Sequence, residues 1–255
     1  MFFDTHAHYE DKRFDGDRDS VLGAMQGAGV SLILNAASSL RSAKFSLGLA
    51  EKYSFVYASV GVHPHDAKSM VDDTVFELEE LLKHPKAMAV GEIGLDFHYD
   101  FSPRDVQKVR FREQLELARR LKLPVIIHER EALADTLSLV QEYSDLTGVF
   151  HCFSGSWETA RIILDLGWFI SFTGVVTFKN ARRALEVLEK MPLERLMLET
   201  DCPYMAPEPM RGKRNSSLFL PFIAEKIASV RGICVNEVAA VTTENGKRFF
   251  GLINT

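Results

Sequence analysis

The sequence predicts an α/β fold, a single closed (β/α)8 barrel of the TIM type. Three observations carry this expectation. Eight short apolar or β-rich runs alternate with helix-length segments, no glycine-rich phosphate fingerprint marks a doubly wound sheet, and no composition break or long linker divides residues 1–255 into domains. A chain of 255 residues can bury roughly 70 to 75% of its unfolded-chain surface.

The first strand is expected over 2–5 and is followed by a helix near 18–28. The runs 31–37 (SLILNAA) and 55–62 (FVYASVGV) predict the next two strands, with helices near 39–52 and 72–83. A fourth strand, 87–93 (AMAVGEI), leads to the clearest helix, 103–121. There Pro103 can occupy the first turn, and Phe111, Leu115, Ala118 and Leu121 recur at helical spacing. Strands at 124–128 (PVIIH), 148–153 (GVFHCF) and 169–174 (FISFTG) precede helices near 131–143, 156–166 and 180–189. The eighth strand, 195–200 (RLMLET), is followed by a loop at 202–217 rich in Pro, Gly, Arg and Lys, then by helices near 216–230 and 235–249. Apolar strands that alternate with helices argue for a parallel sheet, and in a barrel the loops after the strands rim the catalytic face.

The charge balance narrows the function. A formal net charge of -5 disfavours holding long nucleic acid on a broad basic surface, although a local basic group or bound cations can still attract phosphate. No basic n-region with an apolar h-region opens the chain, and no run is long and apolar enough to span a membrane. The expectation is a cytoplasmic protein with no membrane partner. Cys152, Cys202 and Cys234 are too few and too scattered for a disulfide framework or a structural zinc cluster, and read as small buried hydrophobes.

The polar residues at strand ends supply the chemistry. His6 and His8 are an i, i+2 pair, which a strand points to one side, so both imidazoles can meet one metal ion. His63 and His65 follow strand three, Glu92 lies at strand four, His128 ends strand five, His151 lies in strand six, and Glu199 and Asp201 end strand eight. Each has a bland alternative: His151 beside Phe150 and Phe153 reads by itself more readily as a hydrogen-bonded core histidine than as a ligand, and Glu92 reads as a lone strand-end charge. A carboxylate in so apolar a setting, however, needs a compensating cation. Four histidines and two carboxylates exceed what one tetrahedral ion uses, so two metals are the more economical reading. Imidazoles suit Zn2+, whereas oxygen ligands and phosphate suit Mg2+ or Mn2+, and the ion's identity stays open.

With these residues placed, the chain resembles the TatD family of metal-dependent deoxyribonucleases, within the amidohydrolase-like superfamily of barrels. The resemblance rests on DTHAHY at 4–9, GVHPH at 61–65, GEIGLDF at 91–97, PVIIHEREA at 124–132, HCFSG at 151–155, TGVVTFKNA at 173–181 and LETDCPYMAPEPMRGKRN at 198–215. It implies that His6, His8 and Asp201 hold one divalent ion, that His128 and His151 hold the other, and that Glu92 bridges them. It gives His63 a place near the attacking water or the substrate phosphate, and His65 a supporting one. Glu199 stands as a supporting carboxylate or as half of a buried salt bridge.

The implied activity is hydrolysis of DNA phosphodiesters, as a 3′-to-5′ exonuclease on single-stranded or frayed 3′ ends, with Asp201 accepting a proton from the attacking water. No obligate protein partner is implied. Arg130, Arg211 and Lys213, with Arg214 beside them, either steer a phosphate or are solvated loop charges. Phe172, Phe178 and Tyr204 are candidate base-stacking rings. Two departures from the family pattern, Ser216-Ser217 where a proline is usual and Glu10 in place of a shorter acid, bear on loop shape and substrate preference. The alternative is a two-metal hydrolase of a small-molecule amide, lactone or phosphoester.

Overall fold

A computed structural model of the chain describes residues 1–252. Among these, the strands are β1 (Phe2–Ala7), β2 (Val30–Asn35), β3 (Val56–Val60), β4 (Ala87–Asp96), β5 (Val125–Arg130), β6 (Gly148–Phe150), β7 (Phe169–Phe172) and β8 (Leu196–Leu198). The helices are α1 (Arg18–Gly23), α2 (Leu40–Lys52), α3 (Thr74–Leu82), α4 (Arg104–Leu121), α5 (Leu133–Gln141), α6 (Trp157–Asp165), α7 (Arg182–Lys190), α8 (Leu220–Arg231) and α9 (Val235–Phe249). The strands are parallel and run in the order β1 to β8, the topology of a (β/α)8 barrel.

Differences from the expected elements lie at their ends. β4 and β5 run on to Asp96 and Arg130, whereas β6 and β8 stop at Phe150 and Leu198. His151, Glu199 and Asp201 therefore sit just beyond their strands. The chain leaves the extended region soon afterwards, with left-handed φ values of 47° at Cys152 and 53° at Asp201. Such angles are uncommon for residues other than glycine and cluster at functional sites. The first helix breaks at Gly23 into a 3-10 turn, Gln26–Ala28, in a stretch where glycine lowers helix propensity. The segment expected to be helical from 216 opens with a 3-10 turn, Ser217–Phe219, and Pro221 then occupies the first turn of α8. Of the cysteines read as buried, only Cys202 is; Cys152 is half-buried and Cys234, just before α9, is exposed.

The chain forms two compact units, one of Met1–Asn35 with the chain from Cys152 onward, the other of Ala36–His151. In the first, β1 pairs with β2, Phe2 opposite Val30 and Ala7 opposite Asn35, and β7 pairs with β8. The segment after β8 then runs along β1: the Asp201 amide donates to the His6 carbonyl at 2.9 Å, and the His8 amide donates to the Cys202 carbonyl at 2.8 Å. The end of the last strand thus adjoins the first, a junction that an open doubly wound sheet lacks. Phe3, Phe14, Trp168, Leu196 and Leu198 are fully buried here, and Phe250 brings its ring to 5.7 Å from that of Phe3.

In the second unit β3, β4, β5 and β6 pair in succession. α4 buries Phe111, Leu115 and Ala118, three of the four residues whose spacing predicts that helix. Ser39 caps α2, its hydroxyl accepting from the Ser42 amide at 3.2 Å. No helix among the described residues is long and apolar enough to cross a membrane.

Gly94, on β4 opposite His128 on β5, controls how closely the strands that carry Glu92 and His128 approach. Its φ is 145°, and a Cβ there would lie 2.0 Å from the His128 carbonyl oxygen. Backbone cannot yield as a flexible side chain does, so Gly94→Ala is expected to cost at least about 2 kcal/mol. At roughly 2 to 4 °C per kcal/mol, calorimetry should record a melting temperature lower by about 5 °C or more. An unchanged melting temperature would refute this account of the β4–β5 spacing.

Candidate metal centre

The first unit carries one group of donors. His6 on β1 and His8 just beyond it bring their Nε2 atoms to 3.1 Å, as the i, i+2 spacing predicts. Asp201 Oδ1 lies 3.3 Å from His8 Nε2 and 4.0 Å from His6 Nε2. Asp201 is placed there by a buried lattice around Asp4. The Thr200 amide and hydroxyl donate to the two Asp4 oxygens at 2.9 and 2.6 Å, and the Ser217 hydroxyl adds a third bond at 2.6 Å. Burial drives the Asp4 carboxyl up to about 7 against the pull of these hydrogen bonds. Asn215 closes the loop by donating to the carbonyls of Thr200 and Tyr204 at 2.9 and 2.6 Å.

Glu10 settles the ring of His8. Its carboxylate can only accept, so His8 Nδ1, at 3.2 Å, is the donor, and the Asn35 amide donates to the other Glu10 oxygen at 2.7 Å. A carboxylate on one ring nitrogen leaves the other to serve as a ligand. Burial works against a charged His8, but Glu10 and then Asp201 outweigh it and raise its pKa well above the usual imidazole value. Glu199 is buried, and its oxygens accept from the Cys152 amide at 2.6 Å and the Ser171 hydroxyl at 2.7 Å, neutral donors that brace the ends of β7 and β8.

The second unit carries the other group. Glu92 Oε1 lies 2.8 Å from His128 Nδ1, 2.8 Å from His151 Nε2 and 3.4 Å from His63 Nε2. His128 Nδ1 and His151 Nε2 are 3.4 Å apart. Burial acts to raise the Glu92 carboxyl, yet the His151 and His63 imidazoles and the hydrogen bonds of His128 and His151 hold it well below the usual carboxylate range. His63 is pushed down to about 4 by its own burial and by the nearby charge of His128. Its Nδ1 accepts from the His65 amide at 3.1 Å, which puts the proton of the neutral ring on Nε2.

Asp96 organises this group, and it is a residue that sequence reasoning missed. One oxygen faces His65 Nε2 at 2.8 Å and His128 Nε2 at 3.1 Å, while the other accepts from the amides of His98 and Tyr99 at 3.0 and 2.9 Å. Gln107 clamps the Asp96 backbone, accepting from its amide and donating to its carbonyl. Burial would raise the Asp96 carboxyl, but the hydrogen bonds of His128 and His65 hold it far below its ordinary value. A legible signal existed: Asp96 is four residues from Glu92 on one strand, hence on the same face. Glu10 and Asp4 were missed as well, although both lie in or beside the first motif.

The donor chemistry fits divalent ions. Bonds of about 2.0 to 2.1 Å at tetrahedral angles put ligand atoms about 3.3 Å apart. The separations here are 2.8, 2.8 and 3.4 Å among Glu92, His128 and His151, and 3.1, 3.3 and 4.0 Å among His6, His8 and Asp201. Neutral imidazoles with ionised carboxylates are the donors such ions take.

The basic and aromatic residues divide. Arg130, at the end of β5, is exposed and holds its guanidinium 4.7 Å from the Tyr99 ring centre. Arg211 lies 3.8 Å over Phe178, and Lys213 is exposed in the same loop. Arg214 instead ties the loop down, pairing with Asp17 at 2.6 Å and donating to the Arg13 carbonyl. Phe172, considered as a stacking ring, is 1% exposed and belongs to the core, while Tyr204 is exposed beneath the Arg13 guanidinium.

Known proteins place this arrangement. The family model described as TatD related DNase matches residues 3–251. The uncharacterized metal-dependent hydrolase YabD of Bacillus subtilis is 40% identical over 98% of this chain and 99% of its own. The 3′-5′ ssDNA/RNA exonuclease TatD of Cronobacter sakazakii is 37% identical over 97% of each. Among solved structures, the TatD homologue YjjV of Escherichia coli superposes with a TM-score of 0.92 at 32% identity over 98% of both chains, and a TatD family hydrolase of Entamoeba histolytica with 0.91 at 26% over 99% of this chain and 98% of that one. With a family model spanning nearly its whole length and full-length relatives at this identity, the chain belongs to the TatD-related DNase family of metal-dependent hydrolases.

Proposed function

We propose that the protein is a 3′-to-5′ exonuclease acting on single-stranded or frayed 3′ ends of DNA with two divalent ions, Mg2+, Mn2+ or Zn2+. The observation that carries this reading is the pair of donor groups, each with the residue types and spacing of a divalent-ion site. The relative named as a 3′-5′ ssDNA/RNA exonuclease supports the polarity and the single-stranded substrate. Free thiols suit the cytosol as its place of action.

In this reading His6, His8 and Asp201 would hold one ion and His128 and His151 the other, with Glu92 as a carboxylate that would serve both. Bound ions supply an acidified water and neutralise charge that develops on the phosphoryl oxygens. Glu92 stays ionised because the surrounding imidazoles favour its charged form. Asp201 would accept the proton that the attacking water gives up as the new P–O bond forms, and would return it to the 3′-oxygen that leaves as the old P–O bond breaks. His63, whose Nδ1 accepts from the His65 amide, would offer the hydrogen on Nε2 to a phosphoryl oxygen. Arg130, Arg211 and Lys213 draw the phosphate in, and Glu199 holds the loop ends. A terminal phosphodiester needs few such contacts, which suits a chain of net charge -5.

The central test is a 5′-labelled single-stranded oligonucleotide with Mg2+ or Mn2+. It should shorten progressively from its 3′ end, stop on chelation and slow when the 3′ hydroxyl is blocked. Comparable cleavage of closed circular DNA would overturn the end-dependent reading, and turnover of a lactone or amide without any phosphodiester cleavage would overturn the substrate class.

Replacing Glu92 by Gln removes the charge that balances the ions. Elemental analysis should find fewer than two metals per chain where the parent holds two, and turnover should drop by about 100-fold or more, beyond the 10- to 100-fold typical of supporting residues. Full stoichiometry with full turnover contradicts the assignment. Asp96→Asn should weaken metal affinity by about 10- to 100-fold, measured by competition with a chelating dye. Unaltered affinity would show that Asp96 does not orient His128.

A further inference from the structure

The segment between β4 and α4 presents two large rings to solvent beside the candidate metal site. Tyr99 is 46% exposed and Phe101 54%, and their rings stack at 5.2 Å with an interplanar angle of 19°. Two exposed aromatics stacked on one another lose apolar surface to water unless something covers them. The segment that carries them is anchored. The Tyr99 amide donates to Asp96 at 2.9 Å, and Ser102, fully buried, accepts from the Lys68 amide at 3.0 Å and donates to the His65 carbonyl at 2.8 Å. The rings are therefore held in place by bonds at both ends of a short segment.

Their neighbours indicate what covers them. The His65 ring meets both edge-on, at 5.3 Å from Tyr99 and 4.9 Å from Phe101, and its Nε2 shares the Asp96 carboxylate with His128. The Arg130 guanidinium lies 4.7 Å from the Tyr99 ring centre, two residues beyond His128. A flat apolar surface next to a cation, one histidine away from a candidate metal ligand, matches the two halves of a nucleotide: a base with a π-face and a phosphate with a negative charge.

We propose that Phe101, backed by Tyr99, offers its outer face as a stacking platform for a nucleobase of a single-stranded substrate, with Arg130 on Tyr99 as the contact for the adjoining phosphate. The platform rests on the nucleic-acid reading of the site and supplies a physical basis for its preference for unpaired strands, because a base inside a duplex has no face to offer. Every base has such a face, so the platform favours single strands without choosing a sequence.

The test uses the metal-loaded protein and single-stranded DNA with one 2-aminopurine, whose fluorescence is quenched when it stacks on an aromatic ring. A matching strand with an abasic deoxyribose at that position serves as the control. Binding to the parent protein should quench the probe, and the affinity advantage of the base-bearing over the abasic strand should fall about tenfold in Phe101→Ala. Phe101→Trp should keep the advantage, whereas Phe101→Leu, apolar but without a π-face, should lose it. Arg130→Gln should weaken both strands together and flatten the salt dependence of binding. Equal affinity of the parent for base-bearing and abasic strands, or an undiminished advantage in Phe101→Ala, overturns the platform even where the exonuclease assay succeeds. Failure to hydrolyse any phosphodiester, with base-dependent quenching intact, rejects the exonuclease reading and leaves the platform standing.

Discussion

The structure is built around carboxylates that must stay charged where water hardly reaches. Glu92 is 3% exposed, and an ionised carboxylate in such a place is costly unless it is paired. Its compensation comes from His63, His128 and His151, each delivered by a different strand end and each presenting a ring nitrogen to the same oxygen. A divalent ion serves the same electrostatic need more strongly, which is why a cluster that looks strained as an ion-pair network reads naturally as a ligand set.

The same arrangement recurs one layer out. Asp96 holds the far nitrogen of His128, and Glu10 holds the far nitrogen of His8. In both cases a carboxylate holds one ring nitrogen and so turns the other toward the candidate site. These carboxylates are secured in turn: Asp96 by backbone amides and Gln107, Glu10 by Asn35. Asp201 depends on a different support, the hydrogen-bonded turn around Asp4, Thr200 and Ser217. Ser217 lies within the Ser216-Ser217 pair that departs from the family pattern, and its hydroxyl contributes to that support.

Around these groups the loops carry residues of mixed employment. Arg214 looks like its neighbours Arg211 and Lys213 in sequence but is occupied with Asp17 and Arg13. Phe172 and Tyr99 are both aromatic residues near strand ends, yet one is core and the other faces solvent. Residue type alone does not separate these uses, because charge and aromaticity serve structure and recognition equally well.

What the sequence determined by itself is the part governed by local periodicity. Alternating strand and helix patterns announced the barrel topology, and the His6–His8 spacing announced a paired imidazole site, since neighbours two apart on a strand must point the same way. The same rhythm placed Glu92 and His128 on the fourth and fifth strands and His151 with the sixth, although β4 runs four residues past Glu92 and β6 stops one residue short of His151. Only the tertiary structure decided how those rings are oriented, because the partners that do so are remote in sequence or arrive by a turn. Asp96 reaches His65 and His128 from 31 and 32 residues away, Asp4 reaches Thr200 and Ser217 from 196 and 213, and Glu10 turns back to His8 only because the chain bends after β1. Hydrogen-bond geometry of this kind depends on where the backbone is placed to within an ångström, and no pattern of residue types carries that information.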